Sequence, residues 1–178
     1  MNPVPKKVLL DANFLIDWKD ASTDINVRAR AQTLIARLIA AGSCVVIPTP
    51  ALAEFLCRAN CEGLASVLAL TTDASTMIAS FDFKAAFELH LLHRAGAYLG
   101  DKKDGVDEPW QKIKFDRQIV AIARANQCDL IVSADRSVKA AALRIGIAAA
   151  SMEDLHTATF PRRRGVSVCE PGGAWRAA

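Results

Sequence analysis

Apolar residues fall along the chain in two alternating patterns, short unbroken runs and longer stretches spaced by three and four. Runs within residues 6–11, at Cys44–Ile47, at Met77–Phe81, at Leu130–Val132 and at Ile147–Ala150 predict strands. The continuous ones, Val8-Leu9-Leu10 and Leu130-Ile131-Val132, are of the kind a parallel sheet buries on both faces. Between them the helical spacing takes over. Val27, Ala31, Leu34, Ile35, Leu38 and Ile39 build one apolar face and predict a helix over 26–41, stopped by Gly42. Thr49 and Pro50 read as an N-cap and first helical position of a helix carrying Leu52, Glu54, Phe55 and Leu56. Asp82 reads as the cap of a helix through Phe83, Phe87, Leu91 and Leu92 to about Leu99. Further helices are expected over Ile113–Asn126 and Val138–Ile145, with Gly146 breaking the second. Phe14–Trp18 enter a helix or a turn, residues 63–77 stay open between strand and helical hairpin, and Ser151–Leu155 read as one capped turn.

Strands alternating with helices of this length imply βαβ units. The expected fold is α/β, a three-layer α/β/α sandwich around a mainly parallel central sheet; strand order does not follow from the pattern. The 178 residues suit one domain, placed at 1–160. Residues 161–178, rich in proline, glycine and arginine, are expected to form a poorly ordered tail. The charged, glycine-containing stretch at 100–110 is the expected mobile loop or insertion.

Composition narrows the partners only slightly. A formal net charge of +3 permits nucleic-acid binding without arguing for it, although Arg162-Arg163-Arg164 concentrates charge near the end. The five cysteines, Cys44, Cys57, Cys61, Cys128 and Cys169, include no CxxC pair, which disfavours zinc and points to reduced, partly buried thiols. His90 and His93, with Leu91 and Leu92 between them, read as ordinary helix residues. The N-terminus lacks the apolar core of a secretory signal and no run approaches a membrane span, so a cytoplasmic protein is expected.

Four acids change the picture. Asp11 closes the first strand and Asp135 follows the strand at Leu130–Val132, while Glu54 and Asp116 stand in expected early helical turns. In an open parallel sheet, ligands bind outside the carboxyl ends of the strands, where these positions share one edge. Clustered carboxylates repel one another and tend to take up protons. A divalent cation removes that repulsion, and Mg²⁺ and Mn²⁺ prefer oxygen ligands. Such an ion polarises a phosphoryl oxygen and activates water, chemistry suited to phosphodiester hydrolysis. Plainer roles are open too: Asp116 as a helix-dipole partner, Asp135 as a turn former or N-cap, and Glu54 as a solvated helix residue, while Asp11 is the least readily explained that way, because an acid closing an apolar strand is desolvated. Ser133 either orients Asp135, contacts a metal-bound water or caps the next helix, and Asn13 bonds a carboxylate or its own backbone. Lys112, Lys114, Arg117 and Arg136 are candidates for holding phosphates, or ordinary surface charges.

At these residues the chain resembles the PIN-domain family, over roughly residues 6–155. Val8–Ile16 is similar to the family's opening strand with its first acid and following Asn13. Pro50–Phe55 resembles the helix bearing its glutamate, Phe115–Ala123 the third-acid helix, and Asp129–Arg136 the strand that ends in Ser/Thr-x-Asp. The resemblance implies an α/β/α sandwich, Mg²⁺ or Mn²⁺ at Asp11, Glu54, Asp116 and Asp135 with Ser133 assisting, and endoribonuclease activity on single-stranded RNA. Many small members, of the VapC type, are toxins of toxin–antitoxin pairs, often dimers held inactive by an antitoxin; this chain is longer than the shortest of them between Glu54 and Asp116. The alternative is a catalytically inactive PIN-fold module that binds RNA or protein. A phosphatase with an aspartyl nucleophile would want a second Asp where Asn13 stands, and a receiver-like regulator would want an acidic pair and a strand-end lysine.

Overall fold

In the computed structural model the described residues are 4–20, 22–98, 103 and 105–155; the expected tail at 161–178, Cys169 and part of the 100–110 loop lie outside them. The order of elements is β1 (Lys7–Leu10), α1 (Ala12–Lys19), α2 (Ile25–Ala40), β2 (Cys44–Pro48), α3 (Thr49–Leu56), α4 (Cys61–Thr71), β3 (Thr76–Ala79), α5 (Phe83–Tyr98), α6 (Trp110–Ala125), β4 (Leu130–Val132), α7 (Arg136–Arg144) and β5 (Ala148–Ala150).

The five strands form one sheet in the order β3-β2-β1-β4-β5, and every neighbouring pair is parallel. β1 is central: Val8 stands opposite Val45 on one side and Leu130 on the other. Val8, Leu9 and Leu10 have no exposed surface, as their unbroken apolar run predicts. Helices flank the sheet, α1 packing on α2 and α3, and α6 on α5 and α7. From β1 the chain builds outward to β2 and β3, then returns to the other side of β1 for β4 and β5. The order therefore reverses between β1 and β4, and a crevice at such a reversal is where open α/β sheets take ligands. Among the described residues no helix is long and apolar enough to cross a membrane.

Several local expectations are refined. The open stretch at 63–77 resolves into helix α4 and strand β3, which begins at Thr76 rather than Met77. Phe14–Trp18 belong to a full helix whose N-cap is Asp11. α6 begins at Trp110, behind Pro109 as its N-cap, and not at Ile113. Thr49 is inside α3 rather than its cap: Pro48 takes that place while pairing with Ala79 on β3. Asp82 does cap α5, accepting from the Ala85 amide at 2.9 Å. Ser151 and Asp154 bond each other reciprocally in the expected capped turn.

Candidate active site

β1 and β4 lie side by side, and each ends on a polar residue at the same edge of the sheet. Asp11 follows β1, with its amide bonded to the Val132 carbonyl at 3.1 Å. Its Oδ1 accepts from the Ala12 amide at 2.7 Å, so the residue that caps α1 also stands at the edge of the sheet where the strand order reverses. Ser133, just past β4, donates its hydroxyl to Asp11 Oδ2 at 2.6 Å and accepts from the Asp135 amide at 3.0 Å. One buried hydroxyl thus ties the two strand-end acids together. Asn13 spans the same gap more loosely, its amide 3.4 Å from Asp11 Oδ2 and its carbonyl oxygen 3.4 Å from the Ala134 amide.

Asp135 caps α7 by accepting from the Ser137 amide at 3.0 Å. The Ser137 hydroxyl in turn donates to Asp116 on α6, a bond that fixes α6 to the start of α7. Lys112, one turn before Asp116, places its Nζ 2.7 Å from Asp135 Oδ2 and 3.4 Å from Glu108 Oε1. The result is a continuous polar chain: Asp11, Ser133, Asp135, Ser137 and Asp116, with Lys112 at its outer side.

The electrostatics of this chain pull its acids in different directions. Burial raises the Asp11 carboxyl above its ordinary range; bonds from Ser133 and Ala12 oppose this, and the charges of Asp135 and Glu54 add to it. Asp116 is pushed up to about 6 by burial, against the Ser137 hydrogen bond, with the charges of Asp135 and Asp11 contributing. Asp135 is also penalised by burial, but its bonds from Lys112 and Ser137 outweigh that and hold it below the usual carboxylate range. Glu54 lies at the exposed rim on α3, coupled to Asp11 through its charge and making no hydrogen bond or ion pair among the described residues.

Asp11, Ser133, Asp135 and Asp116 are therefore brought together, and Glu54 stands at the margin. As placed, no three acidic, histidine or cysteine side chains among the described residues enclose a common point at metal distance. The donor set nevertheless fits a hard divalent cation. Its oxygens are carboxylates, and two of them, on Asp11 and Asp116, are raised by burial and by the charges of neighbouring acids, which leaves negative charge for a cation to compensate.

Two sequence expectations change at this site. Arg117 is not at the rim: it is 1% exposed, its guanidinium carbon 5.2 Å from the centre of the Trp110 ring. Asp116 is in the second turn of α6, beyond the reach of the helix N-terminus. Ser137 was not among the candidates. Its only signal is a hydroxyl two positions after an N-cap aspartate. His93 is half-buried beside Trp110, with ring centres 6.0 Å apart, as an ordinary helix residue would be.

The PIN domain family model matches residues 8–143 of the chain. No curated protein matches it significantly. Among solved structures, VapBC2 from Rickettsia felis, bound to a DNA fragment from its promoter, is similar with a TM-score of 0.55 at 14% identity, covering 82% of this chain and 98% of that one. VapC20 of Mycobacterium tuberculosis, described as a toxin that cleaves the sarcin–ricin loop, is similar with a TM-score of 0.50 at 17% identity, covering 75% and 94%.

Proposed function

The chain belongs to the PIN-domain family, and on that premise we propose that it is a Mg²⁺- or Mn²⁺-dependent endoribonuclease. The observation that carries this is the joining of Asp11 and Asp135 through Ser133 at the crevice between β1 and β4, with Asp116 tied in through Ser137. Asp11, Asp116 and Asp135 would hold the ion, with Glu54 as a further ligand or as acceptor for one of its waters. When bound, the ion would supply a polarised phosphoryl oxygen and an acidified water. Ser133 keeps the Asp11 carboxylate in fixed orientation and holds the Asp135 backbone beside it, while the Ser137 amide and Lys112 hold the Asp135 carboxylate. Lys112 and Arg136 at the rim meet the phosphates, which makes binding salt-sensitive.

The protein should cleave single-stranded RNA when Mg²⁺ or Mn²⁺ is added, and Asp11→Asn should lower the rate at least about a hundredfold. Circular dichroism of the variant should match the wild type. Full cleavage in excess chelator rejects the proposal.

The toxin role of a toxin–antitoxin pair is the biological reading we attach to this activity, with an antitoxin and a second copy of the chain as partners. What supports it is the similarity to VapBC2 and VapC20, and a row of exposed apolar residues on α5, Phe83, Phe87 and Leu91, suited to a protein surface. Expression of the wild type should arrest growth and Asp11→Asn should not; equal growth sinks the toxin role without touching the chemistry.

A further inference from the structure

Lys112 stands where a cation is wanted. Its ammonium is 2.7 Å from Asp135 and 3.4 Å from Glu108, and it sits one helical turn before Asp116. Its position on α6 fits a particular task. Residues four apart on a helix share one face, so Lys112 and Asp116 look toward the same crevice, and the Lys112 side chain is 41% exposed with a flexible stem. Lys114, on the same turn, is directed elsewhere, its Nζ 5.9 Å from the centre of the Trp110 ring. Among the lysines of this stretch, Lys112 alone is held against a site carboxylate.

We propose that Lys112 is a stand-in for the metal ion and a phosphate-positioning residue: it neutralises Asp135 in the metal-free protein, yields that carboxylate when the ion binds, and turns its ammonium to an RNA phosphate. The inference rests on the nuclease reading above. A short contact from the ammonium to Asp135 Oδ2 competes with a divalent ion at the same oxygen, because the two like charges repel at that range. Displaced by about one side-chain swing, it remains at the crevice mouth, where the backbone of a substrate must pass. Metal binding therefore competes with an internal ion pair, and RNA binding recovers part of what that pair loses.

Calorimetric titration of metal-free protein with Mn²⁺, at fixed ionic strength and without RNA, tests the competition. Lys112→Met should bind Mn²⁺ about three- to tenfold more tightly than the wild type, the range expected for loss of a charge-assisted pair. Lys112→Arg should stay near the wild type, and Lys114→Met, which removes the same charge nearby, should shift affinity less than twofold. At saturating Mn²⁺, Lys112→Met should raise KM for single-stranded RNA several-fold with kcat within about twofold, and its log kcat/KM should fall less steeply with log salt, by about one unit of slope. Lys112→Gln gives the same comparisons if the methionine variant does not fold. Mn²⁺ affinity unchanged by Lys112→Met, or moved no further than by Lys114→Met, overturns the proposal and leaves the nuclease reading standing. Unchanged KM and salt slope overturn the phosphate role. Failure of the wild type itself to bind Mn²⁺ overturns the nuclease reading and this inference with it.

Discussion

At the scale of single residues, the site is built from groups that the metal-free fold tolerates at a cost. Asp116 is pushed up to about 6, from an unfolded value of 3.8. Below 3.8 the carboxyl is protonated in both states and the shift has no effect on stability. Between 3.8 and about 6 the unfolded chain releases the proton while the fold retains it, so stability falls as pH rises. Above 6 the penalty is fully present. Asp116→Asn should therefore melt at nearly the same temperature as the wild type near pH 3.5 and a few degrees higher at pH 7.5 in chelator, while losing cleavage. Thermal melts of both proteins across that range check it, and a gap that is largest at low pH contradicts it. Ser133 acts in the opposite sense. It is 1% exposed, and its hydroxyl serves Asp11 and the Asp135 amide at once. Ser133→Ala should lower stability by about 1–2 kcal/mol, read from the urea midpoint, because a buried carboxylate loses its shortest partner. Asp11 and Asp135 were visible in the sequence because each is the first charged residue after an apolar run. The structural role and the proposed one are compatible: both acids are helix N-caps, and both stand at the carboxyl edge of the sheet between β1 and β4. Ser137 and the inward turn of Arg117 were not visible, because a hydroxyl's target and a guanidinium's burial depend on which helix packs opposite, and no local pattern encodes that.

At the scale of elements, the strands buried on both faces were the most readable part of the chain. Val8-Leu9-Leu10 and Leu130-Ile131-Val132 have no polar alternation, and a segment with two buried faces needs none. Element starts were harder. α6 opens three residues before the first clear apolar position, since Trp110, Gln111 and Lys112 form an exposed or half-exposed first turn and leave little periodic signal. α4 was ambiguous because its apolar residues are not confined to one side; Leu64 and Leu68 are exposed on it. Packing gives the elements different vulnerabilities. Leu9→Ala in the central strand should cost about 2–5 kcal/mol, since Leu9 has no exposed surface; a denaturation midpoint within error of the wild type would contradict the core position. Thiol chemistry reports the same gradient. Cys128, in the connection from α6 to β4, is buried and its thiol is pushed up to about 12 by that burial, whereas Cys57 and Cys61 are exposed at α3 and α4. Among the cysteines of the described residues, alkylation at pH 8 should label Cys57 and Cys61 before Cys44 and reach Cys128 only as the protein unfolds, as peptide mapping by mass spectrometry would show.

At the scale of the whole molecule, strand order explains why residues far apart in sequence share one site. Asp11 and Asp135 meet because β1 and β4 are neighbours, although β2 and β3 come between them along the chain. That pairing also makes the site a clamp: β1 with α1 on one side, β4 with α7 on the other, and α6 held to α7 through the bond from Ser137 to Asp116. Lys112 supplies one positive charge to this junction, while Asp11 and Asp116 remain raised by burial and by neighbouring charge. A divalent ion bound across the clamp would therefore stabilise the folded chain and have no equivalent site in the unfolded one. At a concentration of Mn²⁺ about a hundred times its dissociation constant, linkage gives about 2.7 kcal/mol, which for a domain of this size is a rise in Tm of roughly 5–10 °C. Asp11→Asn should show a small fraction of that rise. Hydrogen exchange should slow first at the amides of Ala12 and Asp135, which already bond to Asp11 and Ser133, and spread little to the far edge at β3. A uniform slowing across the sheet, or an equal shift of Tm in the variant, would mean that the ion binds somewhere other than the crevice between β1 and β4.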